Sequence, residues 1–458
     1  MTAPLPASST PPTAPGSLPE VRKDGAIMAL GLLLCLNLLN YADRSVLFAV
    51  QPLMRKELLA PDDPDAKTKM GLLVTAFLVV YMVAAPVFGL LADRWKRWWI
   101  VGLGVLGAGV ASLGTGIAHT FGLVLIMRAV VGLSEAAYGP AAPTLISDMF
   151  PVSRRGGALA WFYMAIPVGS ALGFVYGGHI AAAYGWRWSF MLLVVPAVLL
   201  GGVCFAMREP SRGTSDGAAT RKAKWADYVT MVKTPSFLCN CAGMTLLTFA
   251  LGGMQAWAPE LYASRLAPLL PGQQPEQVLE AANFRFGAIV AVTGVVATLT
   301  GGYLADRLRK RWGGAYLGMS GISMLIAFPL FLGAIYAPFP MAWVLLGLAC
   351  FFLFLNTGPS NTALANVTHP AVRSSAFALN ILIVHALGDA ISPALMGRIA
   401  DSVKAKAADP ASSEANAHAL TAAFFVAGVA IVLSGVAWLV GSRFLARDTE
   451  LAPTRLGA

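Results

Sequence analysis

The chain has 458 residues, of which 57% are hydrophobic and only 12% charged, with 33 Lys and Arg set against 23 Asp and Glu for a net charge of +10. A soluble domain carries about twice that charged fraction, and a mean hydropathy of +0.66 argues against one. The basic balance does not call for nucleic acid, because the cations fall mainly in short loops between apolar runs, as in membrane proteins.

Residues 1–24, rich in Pro, Ser, Thr and Ala, lack the apolar stretch of a signal peptide and read as a disordered cytoplasmic tail. Apolar runs then follow near 25–54, 70–92, 98–118, 121–149, 156–184, 188–207, 236–263, 283–305, 314–337, 341–367, 374–400 and 418–445. Each is long enough to cross a hydrocarbon core of about 30 Å as a helix. The fold expected is an all-α membrane protein of twelve transmembrane helices. Arg94, Lys96, Arg97, Arg154, Arg155 and Arg307 to Arg311 lie in loops on one side, and the acid-rich segment Glu57 to Asp65 lies on the other. Both termini are therefore expected on the cytoplasmic side of the inner (plasma) membrane.

In the first span, Asp43 and Arg44 adjoin inside the apolar run. A charge at the bilayer centre costs about 3 kcal/mol on insertion scales, so such groups usually mark a substrate path or a proton relay. The fourth span carries Arg128 and Glu135, and a spacing of seven puts both on one helix face about 10 Å apart. Counting about 1.5 Å of rise per residue from opposite membrane faces brings Asp43 and Arg128 to nearly the same depth. If the two helices adjoin, these residues can pair, and making or breaking the pair would change proton affinity. The alternative is a fixed charge network that ties helices together.

The fifth span has Gly169, Gly173 and Gly177 at every fourth position with Pro167 nearby, which fits either a sliding helix or tight static packing. Segment 209–234 is polar and contains an amphipathic patch at 221–228, read as an interfacial linker. It divides a first bundle, 25–208, from a second, 235–447, with 448–458 as a second cytoplasmic tail. The halves echo each other: Gly89-Leu90-Leu91-Ala92-Asp93-Arg94 recurs as Gly302-Tyr303-Leu304-Ala305-Asp306-Arg307, and Gly139-Pro140 with Pro151 and Arg154 recurs as Gly358-Pro359 with Pro370 and Arg373. Six spans have been duplicated. In that register the counterparts of Arg128 and Glu135 are Gly347 and Phe354, so proton coupling is expected in the first half alone. The eleventh span has His385 and Asp389 at i and i+4, within mutual reach. Asn356, Asn361 and Asn380 are weaker signals, read first as packing or helix-to-helix hydrogen-bonding groups and second as binding ones.

No G-x-S-x-G, H-E-x-x-H or cluster of metal ligands occurs, so neither an enzyme, a metal nor a cofactor is expected. Cys35, Cys204, Cys239, Cys241 and Cys350 lie in or beside apolar runs and read as inert thiols.

The six-plus-six repeat with G-x-L-A-D-R resembles the major facilitator superfamily over nearly the whole chain, with Lys96 where that family often has Gly. Within it, Asn40-Tyr41-Ala42-Asp43-Arg44, Gly132-Leu133-Ser134-Glu135-Ala136-Ala137-Tyr138, Phe162 to Ser170, and His385-Ala386-Leu387-Gly388-Asp389 with Ser392-Pro393 resemble the Spinster branch. Ala42 and Ser134 depart from the Met and Gly common in animal members. The resemblance implies two pseudo-symmetric six-helix bundles and proton-linked alternating access moving an amphiphilic lysophospholipid or sphingosine phosphate. Small organic anions such as sugar acids are the alternative cargo. The family's intramembrane residues carry over to Asp43, Arg44, Arg128 and Glu135.

The expected proton-coupling residues are Asp43, Glu135 and Arg128. Arg44, Arg128, Tyr41, Tyr138, Asn361, His385, Asp389 and Phe354 are the candidates for substrate binding. Asp93, Arg97, Asp306 and Arg373 are the candidates for gating. The partners expected are the substrate, protons and membrane lipids, acting on a monomer.

Overall fold

The computed structural model describes residues 23–150, 152–210, 232–368 and 373–452, with the side chains at 23, 24, 93, 152–157, 160 and 373–375 left out of the description. Both the expected N-terminal tail up to residue 22 and the amphipathic patch at 221–228 lie outside the described residues. The described chain is helical throughout, with twelve helical spans long and apolar enough to cross a membrane.

The first half contains α1 (Lys23–Leu58), α2 (Ala66–Arg94), α3 (Arg97–Ile117), α4 (Phe121–Met149) and α5 (Val152–Tyr184), then α6 (Trp186–Met191) and α7 (Val194–Ala206), which share one span. The second half contains α8 (Pro235–Leu266), α9 (Pro275–Arg309) and α10 (Ala315–Tyr336). After them come α11 (Met341–Phe354) with α12 (Thr357–Asn366), then α13 (Arg373–Val384) with α14 (Ser392–Lys404), and α15 (Ser413–Leu451). The last helix runs on to Leu451, beyond the expected end of the bundle at 447, and Asp448 accepts hydrogen bonds from Ser236 N at 3.0 Å and Ser236 Oγ at 2.6 Å. Those bonds cap the start of α8.

Three expected spans are interrupted, and the interruptions share a cause. Leu192, Leu355 and Asp389 each precede a proline by four residues (Pro196, Pro359 and Pro393), and each interruption falls at or beside that residue. A proline has no N–H to give the carbonyl four residues back. At the third site the helix widens into a π turn over His385–Asp389, where the Ala390 amide reaches the His385 carbonyl at 3.1 Å. Pro52, Pro86, Pro167 and Pro259 remain inside unbroken helices, as neighbouring helices in a membrane allow.

Helices α1 and α5 pack closely along the glycine stripe. A Cβ at Gly173 would stand 2.3 Å from the Ala42 carbonyl oxygen, so only glycine admits this approach. In the second half, Trp438 of α15 is fully buried and donates from Nε1 to Asn240 of α8 at 2.9 Å.

The halves meet through α2 against α14 and α5 against α9. Near one membrane face Gly71 lies against Ala394 and Gly397 against Lys67, and contact continues to about mid-depth, where Gly294 meets Pro167. Between described residues, the side-chain hydrogen bonds and ion pairs joining the halves all belong to this region: Arg55–Glu260, Lys67 and Thr68 with Asp401, Thr75–Ala390, His179–Glu280 and Asn283–Ala49. Among the described residues, the contacts between halves thus close the face remote from the termini, called the far face below.

Candidate functional site

Asp43 lies on the side of α1 that faces its own bundle, and Arg44, one residue and about 100° further round, turns toward the gap between the halves. Asp43 is 6% exposed and Arg128 1%. Arg128 Nη1 donates to Asp43 Oδ2 at 2.9 Å, as the depth argument anticipates. Ser112 of α3 completes this pair by donating from Oγ to Asp43 Oδ1 and accepting from Arg128 Nη2 at 3.3 Å. The Phe190 ring covers the guanidinium at 5.2 Å. Arg128 is thus closed off from any cargo in this conformation, although the sequence also made it a candidate substrate contact.

Arg44 forms the second pair. Its Nε and Nη2 donate to Glu135 Oε2 at 2.9 and 2.5 Å, while Glu135 Oε1 is buried without a partner. The rings of Tyr41, Phe77 and Tyr81 surround the guanidinium at 4.9, 4.6 and 5.6 Å. The Arg44 side chain is 23% exposed and that of Glu135 2%, so the cation is the accessible member of this pair. Asp43 and Glu135 also line one small internal space with Asn40, Ser112 and Gly109, with room for about one water molecule. The four groups form two ion pairs with no net charge, an arrangement that offsets part of the cost of holding them in a low dielectric.

Across the gap, His385 Nδ1 stands 3.0 and 3.1 Å from the two Asp389 oxygens, with both side chains partly buried. The π turn that carries the pair touches α2 of the first half, where Thr75 Oγ1 donates to the Ala390 carbonyl at 2.6 Å. Phe354 is half-buried beside Gly294 and Pro167, at the inner limit of the contact between halves. Tyr138 points elsewhere: it is 4% exposed and its hydroxyl donates to the Leu33 carbonyl at 2.8 Å within the first bundle. Asn361 bonds to its own helix, from Nδ2 to the Thr357 carbonyl at 2.8 Å.

Of the gating candidates, the side chains of Asp93 and Arg373 lie outside the described residues. Arg97 pairs with Asp148 at 2.5 Å and Glu209 at 2.7 Å, and Asp306 accepts from the Tyr316 hydroxyl at 2.7 Å. The sequence pointed to none of these three partners. It also missed the Arg44–Glu135 pairing, the bridging Ser112 and the aromatic cage. Arg55 with Glu260, which joins the halves at 2.8 Å in two places, was missed too. Glu260 was legible as an ionisable group inside the seventh apolar run.

Residues 33–393 match the Major Facilitator Superfamily. The chain is 33% identical over 466 residues to protein spinster homolog 3 of Danio rerio, covering 97% of this chain and 91% of that one. It is 32% identical to human protein spinster homolog 1, over 93% and 82%. It is also 34% identical over 373 residues to protein spinster of Drosophila melanogaster, covering 80% of this chain but 60% of the fly protein. Among solved structures, a bacterial homologue of the human lysosomal transporter Spinster, in an inward-facing and unoccupied conformation, superposes with a TM-score of 0.80 at 22% identity, over 93% of this chain and 98% of that one. A D-xylose–proton symporter superposes with a TM-score of 0.68 at 16% identity, over 90% and 97%. With twelve helical spans in two bundles around a paired-charge site, this chain belongs to the major facilitator superfamily of membrane transporters, and within it to the Spinster family.

Proposed function

We propose that this protein is a proton-coupled carrier of amphiphilic anions, most directly a lysophospholipid or related anionic lipid, working by alternating access. The observation that carries the reading is the Arg44–Glu135 pair, in which the cation is open to the gap and the carboxylate is sealed. An anionic head group entering the gap competes with Glu135 for Arg44. Once Arg44 is engaged, Glu135 is a buried carboxylate without its counter-ion and takes up a proton. Asp43, which lines a small space together with Glu135, gives that proton a second acceptor. Cargo and proton are thereby linked through one guanidinium.

Half-buried Phe351, Phe352 and Phe354 supply an apolar wall for an acyl chain, and Tyr41, His385 and Asp389 supply polar contacts around the head group. The chain acts as a monomer in the inner (plasma) membrane with both termini cytoplasmic, so the state described here opens inward. The divisions at 25–208 and 235–447 are the two rocking bodies. Asp93, Arg97, Asp306 and Arg373 gate the cytoplasmic end, with Asp93→Asn shifting the balance between inward and outward states.

The test is uptake of labelled lysophospholipid into proteoliposomes under an imposed pH gradient, with Glu135→Gln and with glucuronate as competitor. Gradient-driven uptake that the substitution abolishes and glucuronate leaves intact is the expected result. Saturable glucuronate uptake with no lipid movement would instead make the cargo a small organic anion, with the same four charges at its centre.

A further inference from the structure

One polar side chain in the sealed far half takes no part in the site above. Gln51 is 2% exposed, and it is the one described side chain whose buried amide lacks a hydrogen-bond partner at both Nε2 and Oε1. Buried amides are almost always satisfied, and an exception needs a reason. Leucine or methionine would fill this volume without losing two hydrogen bonds to water.

Its place on α1 supplies the reason. Arg44, Gln51 and Arg55 are spaced by seven and four residues, which at about 100° per residue keeps them within about 40° of one another. They form a stripe rising about 10 Å and then about 6 Å toward the far face. Its lower member faces the gap, and its upper member is held by a bidentate pair with Glu260 of the opposite half. Separation of α1 from α8 at the far face would free the Arg55 guanidinium from Glu260, one helical turn from Gln51.

We infer that Gln51 and Arg55 form an outward station for the anionic group of the cargo, a phosphate ester or a carboxylate, which Gln51 Nε2 bonds as donor when the far face is open. The inference rests on the transport reading above and adds to it a second binding position, formed only in the opposite state. Gln51 is a binding residue at the far end of the path, left without a partner here because its ligand belongs to another conformation.

The test uses the full chain in proteoliposomes of one orientation, with labelled lysophospholipid and labelled glucuronate offered separately at each face. For whichever probe moves, Gln51→Leu should raise the KM from the far face about tenfold, the worth of one hydrogen bond to a charged group. The change from the other face should be smaller, and Gln51→Asn, which retains the amide, should recover part of the loss. An equal change at both faces, or none, overturns the station while leaving the transport reading intact. Failure of the unmodified chain to move either probe overturns both. Independently of transport, Gln51→Cys should react with a charged, membrane-impermeant thiol reagent from the far face, more slowly when the transported probe is present, with the unmodified chain setting the background. No reaction above that background also overturns the station.

Discussion

At the scale of single residues, the two ion pairs answer different demands. Asp43–Arg128 is sealed and braced by Ser112, and breaking such a pair leaves a lone buried charge at a cost of about 3–5 kcal/mol. Asp43→Leu or Arg128→Met alone is therefore expected to lower thermal stability by about that amount in detergent. The double replacement should recover most of the loss yet remain inactive. A double variant as unstable as the singles in a thermal melt would show that the pair is not independent of its surroundings. Ser112→Ala removes only the bridge and should cost about 1 kcal/mol. Four of these intramembrane charges were legible in the sequence because each violates the apolar pattern of its span. Ser112, Phe77, Tyr81 and Phe190 were not, since a serine or an aromatic ring in a membrane helix violates nothing and only the third dimension assigns it a partner.

At the scale of elements, two aspartates cap helices that are distant in sequence. Asp448 caps α8 within its own half, whereas Asp401 of α14 accepts from Lys67 N at 3.2 Å and Thr68 N at 2.9 Å, at the start of α2 in the other half. A cap of this kind contributes about 1 kcal/mol, and the Asp401 cap exists only while the far face is closed. Asp401→Ala should accordingly shift the population toward the far-open state about fivefold, read as the distance distribution between spin labels at the far ends of α2 and α14. An unshifted distribution would show that the cap is replaced by water at no cost. Asp448→Ala should lower stability without moving that distribution. The span count was readable from hydropathy, because length and apolarity set it, and the repeat from the recurrence of G-x-L-A-D-R in both halves. The interruptions at Leu192, Leu355 and Asp389 were not, because seven other prolines in the helices cause none.

Across the whole molecule, the sealed face is held by scattered contacts rather than one. Arg55–Glu260 is the most buried ion pair among them, while His179–Glu280 is largely exposed and open to screening by salt. Glu260→Gln leaves Arg55 without its counter-ion in the closed state only. It should favour far-side opening by one to two orders of magnitude, measurable as far-side labelling of a cysteine placed beside Arg55. Unchanged labelling would mean that packing of α2 on α14 and α5 on α9 closes the face unaided. The quartet of Asp43, Arg44, Arg128 and Glu135 has a further consequence for a molecule that works in an electric field. Each elementary charge moved across a potential of 100 mV changes the energy by about 2.3 kcal/mol, but two cations and two anions held together carry no net charge through that field. The quartet itself would therefore add no electrical work to a rocking movement of the first half. Any voltage dependence of such a movement would then arise from charges outside the quartet, Arg55 and the buried Lys67 of the first half among them.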